Sequence, residues 1–257
     1  MERISASSGL FAVPDSLRER VVLVVGATGA LGSACAAAAA AAGATVVLLG
    51  RKVPALERLY DRLLAASAPT PAIYPLDLAG ATADDHAALA ASIERECGRL
   101  DGIVLASAHF QALTPLDLTP PEEWLRSLHV NLAAPGLLLA ACIPLLRRAS
   151  DAAIVAALDD PATVGGAYWG GYGVAQQGLA ALLGLLADEL ENSSVRVHGL
   201  LPPPLKSALR ARAWIADRDP AAEDPARAAA AVVALLGPDA APWRGRIADL
   251  RVRIDGE

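Results

Sequence analysis

The chain has 257 residues, a formal net charge of −6 and 54% hydrophobic residues. This hydrophobic content excludes an intrinsically disordered protein, and the acidic balance is atypical of nucleic-acid-binding proteins, which usually present a basic face. The three cysteines, Cys35, Cys97 and Cys142, are too few and too scattered for a disulfide framework or a zinc cluster, so we interpret them as buried thiols in the cytoplasm.

Residues 1–14 are predicted to form a flexible arm, and residues 15–257 are predicted to form a single domain. Two stretches without charges, 21–50 and 127–146, are long enough to span a bilayer. Five glycines and two β-branched runs punctuate the first stretch, and an asparagine and two prolines interrupt the second. We therefore predict no membrane span and no membrane partner.

Strand-like and helix-like segments alternate along the rest of the chain. The predicted strands are Val21–Val25, Thr45–Leu49, Ala72–Pro75, Gly102–Ala106, Ala153–Leu158, Val195–Leu200 and Arg246–Val252. The predicted helices are Gly29–Ala42, Pro54–Ala66, Thr82–Cys97, Pro121–Arg148 with an irregularity near Pro135, Tyr172–Leu190, Ser207–Ile215 and Pro225–Leu236. Short loops between alternating elements predict an α/β fold with one doubly wound parallel sheet and helices on both faces.

A glycine-rich turn, Gly26-Ala27-Thr28-Gly29-Ala30-Leu31-Gly32, joins the first predicted strand to the first predicted helix. Glycines at such a turn let the backbone approach a pyrophosphate, and the helix N-terminus offers free N–H groups to its charge. The position of this turn, first in the β-α series, predicts a Rossmann-type dinucleotide site. The alternative is a tight turn that binds no ligand.

The end of the second predicted strand indicates which dinucleotide is bound. Sites that select NAD usually carry an acidic residue there, which accepts hydrogen bonds from the ribose hydroxyl. This chain has Gly50 followed by Arg51, which favours the additional phosphate of NADP. Arg51 could instead be a solvated charge at a strand end, with no ligand role.

These residues resemble the short-chain dehydrogenase/reductase family, and the resemblance covers about residues 14–250. It assigns Gly26, Thr28, Gly29, Leu31 and Gly32 to the cofactor turn, and Asp77 and Leu78 to the pair that holds the adenine ring. Asn131 matches the family's structural Asn. Tyr172 matches the Tyr of the YxxxK motif, which donates a proton to the substrate carbonyl. The segment 167–172 is most similar to a bacterial subgroup of uncharacterised oxidoreductases.

Several residues depart from the family pattern, and most of them belong to its active site. Gln176 replaces the Lys of YxxxK, and Asp159 replaces the Ser thirteen residues before the Tyr. The NNAG stretch is Leu105-Ala106-Ser107-Ala108, and the PG motif is Pro202-Pro203, where Pro203 has no N–H to offer the nicotinamide amide. In the cofactor turn, Val25 and Ala30 replace a Thr and a Gly of the pattern TGxxxGxG.

The two active-site replacements predict a poorly tuned acid. A free tyrosine has a pKa near ~10, and a neighbouring cation helps it to donate at neutral pH. Gln176 is neutral, and an ionised Asp159 would raise the pKa of Tyr172 rather than lower it. Gln176 can still hydrogen-bond the nicotinamide ribose.

Other residues at the carboxyl edge of the sheet could replace the lost groups. His109 follows the fourth predicted strand, and Asp159 and Asp160 follow the fifth, so a histidine and a carboxylate could share acid–base work. The alternatives are a loop histidine without function and an acidic turn in front of Pro161. No second His or Cys lies nearby in the sequence, so we predict no metal site.

Three functional interpretations follow. The first is an NADP-binding protein of this family whose standard carbonyl reductase activity is impaired or lost. The second is an active NADP-dependent oxidoreductase of small-molecule carbonyl or alcohol substrates that uses Tyr172 with Asp159 or His109. The third is a structural partner that binds no cofactor. The resemblance also implies a homodimer or homotetramer formed through the helices that begin at Pro121 and Tyr172.

Overall fold

Parallel strands form one continuous sheet in the computed structural model, which describes residues 1–6, 10, 12–214 and 219–251. The strand order across the sheet is β1-β8-β7-β6-β5-β2-β3-β4, and every neighbouring pair is parallel. The strands in chain order are β1 (Glu2–Ser5), β2 (Val21–Val25), β3 (Thr45–Gly50), β4 (Ala72–Pro75), β5 (Gly102–Leu105), β6 (Ala152–Ala157), β7 (Val195–Leu201) and β8 (Arg246–Asp249).

Helices cross between the strands, as a parallel sheet requires. They are α1 (Ala30–Ala41), α2 (Val53–Ala65), α3 (Ala83–Cys97), α4 (Pro121–Leu128), α5 (Ala134–Leu146), α6 (Pro161–Val164), α7 (Gly170–Glu189), α8 (Ala208–Ala213) and α9 (Ala226–Leu236). Local sequence sets several of these limits. Thr82 and Asp85 form a capping box at the start of α3, and Gly98 ends that helix with a left-handed φ of 73°.

The core lies on both faces of the sheet because its central strands are buried on both sides. In β2, Val22 and Val24 join the cluster formed with α1, α2 and α9. Leu23 and Val25, which point to the opposite face, join the cluster formed with α3, α5 and α7. The structure thus confirms the predicted doubly wound sheet with helices on both faces.

The strand order reverses direction between β2 and β5. Along the chain, β3 and β4 extend the sheet to one side of β2, whereas β5, β6 and β7 extend it to the other. The loops after β2 and β5 therefore diverge and leave a crevice at the carboxyl edge of the sheet, which is where ligands bind in open α/β folds.

The structure differs from the predicted elements in one main place. No strand was predicted before Val21, but Glu2–Ser5 of the expected arm forms the edge strand β1 beside β8. The irregularity predicted near Pro135 in the helix over residues 121–148 is confirmed: a π-helical turn at His129–Ala133 divides that helix. Pro135 follows that turn and has no N–H for the carbonyl one turn earlier, which explains the irregularity at this point. Ile215 and Val252, each predicted as the last residue of an element, lie outside the described residues.

By length and composition alone, the described residues contain one helical stretch that could cross a membrane, Pro121–Leu146. Its apolar side chains lie against the sheet: Leu138, Leu139 and Leu146 of α5 are buried in the core. Core helices commonly have this composition, so the stretch is weak evidence for a membrane span.

Candidate active site

A cleft of about 1130 Å³ opens at the carboxyl edge of the sheet, where the strand order reverses. It is lined by the loops that follow β2, β3, β4, β5, β6 and β7 and by the start of α7. Ten of the twelve predicted site residues line it, namely Gly26, Thr28, Gly29, Leu31, Arg51, Asp77, Leu78, Asp159, Tyr172 and Gln176. Gly32 and Asn131 lie behind the cleft wall and support it.

The turn between β2 and α1 needs glycine at two positions. Gly26 has a φ of +82°, and a Cβ there would lie 2.7 Å from the backbone N and Cα of Ser107. A Cβ on Gly32 would lie 2.1 Å from the carbonyl oxygen of Gly26. The turn is therefore pressed closely between β5 and its own helix. Gly29 at the N-cap adds no side-chain acceptor, so the N–H groups of the first turn of α1 are available to an anion.

A group of exposed cations borders the same end of the cleft. Arg51 and Lys52 follow β3, and Arg58 lies one turn into α2. Among the described residues, none of these three side chains forms an ion pair. Three uncompensated positive charges beside a helix N-terminus can bind a ligand that carries several phosphate groups.

Asp77 and Leu78 follow β4, the neighbour of β3, and so lie at the same end of the cleft. Leu78 is buried and lines the cleft, so it offers an apolar surface to a flat ring. The Asp77 carboxylate accepts a hydrogen bond from the Ala79 N–H at 3.1 Å, which fixes the loop. Ser107, across the crevice, has a buried hydroxyl without a hydrogen-bond partner among the described residues.

Tyr172, Asp159 and Gln176 come together at the other end of the cleft. The Tyr172 hydroxyl donates a hydrogen bond to the Asp159 carboxylate. The Asp159 N–H donates to Oε1 of Gln176 at 3.1 Å. No Arg, Lys or His nitrogen of the described residues lies within 4.0 Å of an Asp159 carboxylate oxygen. Gln176 thus holds the loop after β6, while Asp159 holds the phenol.

The pKa values of Tyr172 and Asp159 are both raised, and burial is the largest cause for each. Burial raises the pKa of Tyr172 well above its usual range, and the charge and the hydrogen bond of Asp159 raise it further. Burial also raises the pKa of Asp159, the hydrogen bond from Tyr172 opposes that rise, and the neighbouring charge of Asp160 adds to it. Proton transfer out of Tyr172 is therefore disfavoured.

Asn131 organises the loop after β5 from behind the cleft. It lies in the π-helical turn, is buried, and pairs with the backbone of His109 twice: Oδ1 accepts from the His109 N–H at 2.7 Å, and Nδ2 donates to the His109 carbonyl at 2.8 Å. The His109 ring then reaches Glu123 on α4, with 2.7 Å between Nε2 and Oε1. His109 lines the cleft, so a histidine–carboxylate pair does lie at its edge.

Sequence reasoning missed the cation that neutralises Asp160. Arg251, two residues after β8, lies 2.6 Å from an Asp160 oxygen, and Arg3 in β1 lies 3.9 Å from the other. The sequence did offer a partial indication of this ion pair. A residue just after β8 must lie at the same carboxyl edge of a parallel sheet as a residue just after β6. The parallel pairing of β8 beside β7 could not be inferred from spacing.

Sequence reasoning expected Trp169 to serve as packing or pocket wall, but it missed Phe110 and Trp214 beside Tyr172. The Phe110 and Tyr172 ring centroids are 5.4 Å apart, and Trp169 packs on both rings and on Trp214. Phe110 and Trp214 line the cleft, together with Pro203 of the loop after β7. The end of the cleft that holds Tyr172 therefore has an apolar, aromatic wall around one carboxylate.

Comparison with known proteins identifies a family whose members resemble this chain in sequence and fold. A family model described as short chain dehydrogenase matches residues 20–217. The chain is 28% identical to the uncharacterized oxidoreductase YciK of Escherichia coli K12 over 225 residues, which are 88% of this chain and 89% of that protein.

Two solved structures share the fold over nearly their whole length. A candidate short chain dehydrogenase from Pseudomonas syringae superimposes with a TM-score of 0.88 at 36% identity, covering 94% of this chain and 99% of that one. A candidate short chain dehydrogenase from Shigella flexneri, solved in complex with NADP, has a TM-score of 0.88 at 27% identity, covering 92% and 99%.

Proposed function

Because this chain belongs to the short chain dehydrogenase family, we propose that it binds NADP(H) in the cleft and that its reduction of ordinary carbonyl compounds is impaired. One observation carries the second part: the Tyr172 hydroxyl donates to a carboxylate, and no described side chain brings a cation to it. The substrates concerned would be small carbonyl compounds, or alcohols in the reverse direction.

The cofactor part of the proposal rests on the fit of this chain's own residues. The close turn at Gly26 and the helix N-terminus would hold the pyrophosphate, and Leu78 would pack on the adenine ring. Arg51, with Lys52 and Arg58 beside it, would hold the additional phosphate of NADP, and none of these positions offers the acidic group that favours NAD. The Shigella flexneri structure in complex with NADP supports this choice.

The impairment follows from the state of Tyr172. When bound, the reduced dinucleotide supplies a hydride, and the carbonyl oxygen then needs a proton from the protein. To donate, Tyr172 would have to leave its hydrogen bond to Asp159 and become a phenolate beside a negative charge. Gln176 is held on the Asp159 backbone and brings no charge. Loss of a well-tuned acid typically costs on the order of 10²–10⁴ in rate.

The test compares the protein with a variant whose acid is retuned. NADPH oxidation is measured with a panel of ketones and aldehydes for the wild-type chain and for Asp159→Ser combined with Gln176→Lys. We expect negligible wild-type turnover and a clear gain in the double variant, although Ala106 and Pro203 keep that gain partial. Adding Tyr172→Phe to the double variant should abolish the gain. Wild-type turnover that depends on Tyr172 would contradict the proposal.

Titration with NADP⁺ and NAD⁺ checks the cofactor independently of turnover. We expect tighter binding of NADP⁺ and a loss of that preference in Arg51→Ala. Arg62→Ala serves as the control. Arg62 is exposed on α2, one helical turn after Arg58, but it does not line the cleft. Absence of binding would favour the interpretation of a structural partner without cofactor.

A second candidate function is an active NADP-dependent oxidoreductase with a different acid. The 2.7 Å contact between His109 and Glu123 at the cleft edge favours it, as does the direct contact of Asp159 with Tyr172. Wild-type turnover that survives Tyr172→Phe but is lost in His109→Ala would identify the histidine as the proton donor.

We further propose that the protein is cytoplasmic and forms a homodimer or homotetramer through α4, α5 and α7. The free thiols Cys35 and Cys142, both buried, support a reducing compartment. Apolar side chains that protrude from these three helices support self-association: Leu125, Leu137, Val174 and Leu185.

A further inference from the structure

We propose that Asp159 makes the tyrosine end of the cleft selective for a substrate whose reacting carbon is bonded to a positively charged nitrogen. In the reducing direction this is an iminium ion; in the oxidising direction it is an amine that binds as its ammonium ion and gives its proton to the Asp159 carboxylate before the hydride leaves. This inference rests on the proposed function, because it assumes that NADP(H) occupies the cleft. It names the substrate class for which the same site is built.

In the part of the chain that the structure describes, the charge balance at this end of the cleft leaves one carboxylate without a cation. Asp160 is neutralised by Arg251 at 2.6 Å, whereas the Asp159 carboxylate has the Tyr172 hydroxyl as its hydrogen-bond partner. Asp159 is partly buried, and a negative charge at such a position without a positive partner is unfavourable, so a ligand that brings a positive charge would supply that partner.

The other cations that line the cleft within residues 12–214 and 219–251, where the structure describes them, do not fill this role. Several are bound to different acceptors: Arg210 to Asp219 at 3.0 Å, Arg212 to the Phe110 carbonyl at 2.9 Å, and Arg251 to Asp160. Arg51, Lys52, Arg58 and Arg126 are exposed. Asp159 therefore keeps its charge unbalanced among the described residues until a ligand arrives.

The shape of the wall favours the same kind of ligand. Phe110 and Trp214 line the cleft near Tyr172. An organic cation could pack its apolar part against these rings and place its charged nitrogen over a ring face. A free inorganic cation would gain little from these rings. We therefore expect an amine with an apolar substituent.

The chemistry of an iminium ion also removes the need for the missing acid. A hydride is added to the iminium carbon, the π electron pair of the C=N bond becomes the nitrogen lone pair, and the reduced nicotinamide dinucleotide is oxidised. The nitrogen loses its positive charge in this step, and no proton is taken from Tyr172. Asp159 holds the protonated form of the imine in place beforehand. A carbonyl, by contrast, develops negative charge beside Asp159 and is repelled.

Binding of a matched pair of ligands tests the proposal without turnover. The full chain is first titrated with NADP⁺, and the saturated protein is then titrated by calorimetry with benzylammonium and with benzyl alcohol, which share their ring and differ in charge. We expect benzylammonium to bind at least about tenfold tighter. In Asp159→Asn, its affinity should fall at least about tenfold while that of benzyl alcohol changes little. The exposed Asp117→Asn should behave like the wild type.

The outcomes separate this inference from the proposed function. Failure of the first titration overturns both. Normal NADP⁺ binding with no preference for benzylammonium, or a preference retained in Asp159→Asn, overturns the charge selectivity alone. Thermal unfolding confirms that the variant is folded, and Asp159→Ser provides the same test if Asp159→Asn does not fold.

Turnover gives a second readout with the same logic. NADPH oxidation is compared for 3,4-dihydroisoquinoline, which is protonated on its imine nitrogen, and for 1-tetralone, a fused-ring ketone of similar size. We expect oxidation with the imine and not with the ketone, and a loss of at least about tenfold in kcat/KM for the imine in Asp159→Asn. Equal rates for the two compounds would contradict the proposal.

Discussion

A single carboxylate changes what a tyrosine can do in this protein. Tyr172 stands where the family places its proton donor, yet this buried side chain donates its hydrogen bond to the partly buried Asp159 carboxylate. A cation beside these two side chains would change their behaviour, because the charge of a neighbour decides whether the pKa of a phenol rises or falls.

The pKa of Tyr172 should therefore fall when the charge of Asp159 is removed. In Asp159→Asn the repulsion on the phenolate is lost, and burial alone keeps the pKa above its usual range. Difference absorbance of tyrosinate, with Tyr172→Phe as the subtracted reference, measures the change. Asp188→Asn, an exposed carboxylate on α7, should leave the titration unchanged. An unaltered Tyr172 titration in Asp159→Asn would show that the carboxylate does not control it.

His198 on β7 provides a pH-dependent contribution to stability. Burial and the charge of Arg196 lower the pKa of His198 to about 4, although the hydrogen bond to the Trp243 carbonyl opposes this. Unfolding restores the ordinary value near 6.5, so between these two values the unfolded chain binds more protons than the folded one. Stability should then fall as the pH is lowered from about 6.5 to about 4, by about 3 kcal/mol from this residue.

Urea unfolding at a series of pH values measures this contribution. His198→Asn should lower the stability at neutral pH but flatten its dependence on pH over the same interval. Because His86 is also buried with a lowered pKa, the two chains are compared at each pH, so that its contribution cancels. Parallel pH profiles for the wild type and His198→Asn would contradict the assignment.

At the scale of elements, the β2–α1 unit depends on close packing of its backbone against neighbouring elements, which only small residues allow. α1 is built almost entirely from alanine, so its buried face, which includes Ala36, Ala39 and Ala40, lets the helix approach its neighbours closely. The turn that leads into it has no room for a side chain at Gly32. The site for the pyrophosphate thus depends on packing as well as on free N–H groups.

Gly32→Ala should consequently destabilise the protein and weaken NADP⁺ binding. The added methyl group would meet the Gly26 carbonyl at 2.1 Å, so the turn must move, at a cost of about 1–3 kcal/mol or more. Gly80→Ala is the matched control, since no atom lies within 4 Å of a Cβ there and its φ is not positive. Denaturant unfolding and NADP⁺ titration of both variants measure the difference. Equal stabilities would mean that the turn accommodates a Cβ.

At the scale of the whole molecule, apolar side chains remain uncovered on the helices of one face. Leu125 on α4 is 64% exposed and Leu185 on α7 is 62% exposed. Side chains of this type at the surface of adjacent long helices are typical of an interface between subunits. Their positions agree with the interface that the family resemblance implies.

Leu125→Glu combined with Leu185→Glu should convert the assembly to monomers. Two buried carboxylates per subunit at such an interface would lack partners and would repel those of the other subunit. Sedimentation velocity at micromolar concentration measures the change, and Leu64→Glu on α2, whose leucine is 40% exposed, is the control. A wild-type chain that already sediments as a folded monomer would contradict the proposal.

The sequence predicted the sheet well because its signals are local. The buried strand Val21–Val25 and the helix predicted over Thr82–Cys97 each depend on a few neighbouring residues, and both are confirmed. β1 was missed because Glu2–Ser5 is largely exposed and pairs with residues far along the chain. The contact of Asp159 with Tyr172 could be expected from the family spacing, whereas the neutralisation of Asp160 by Arg251 depends on strand order, which spacing does not encode.

The pairing of β1 with β8 also sets an order of events during protein synthesis. Glu2 lies opposite Arg246, so 244 residues separate the two partners of the last strand pair. While the ribosome is still translating, β2 and β3 can already pair, but β1 must wait until β8 has left the exit tunnel. β8 and β1 are then the last strands to join the sheet. Until β8 pairs with β7, the backbone groups along that edge of β7 are unpaired and can bind other chains.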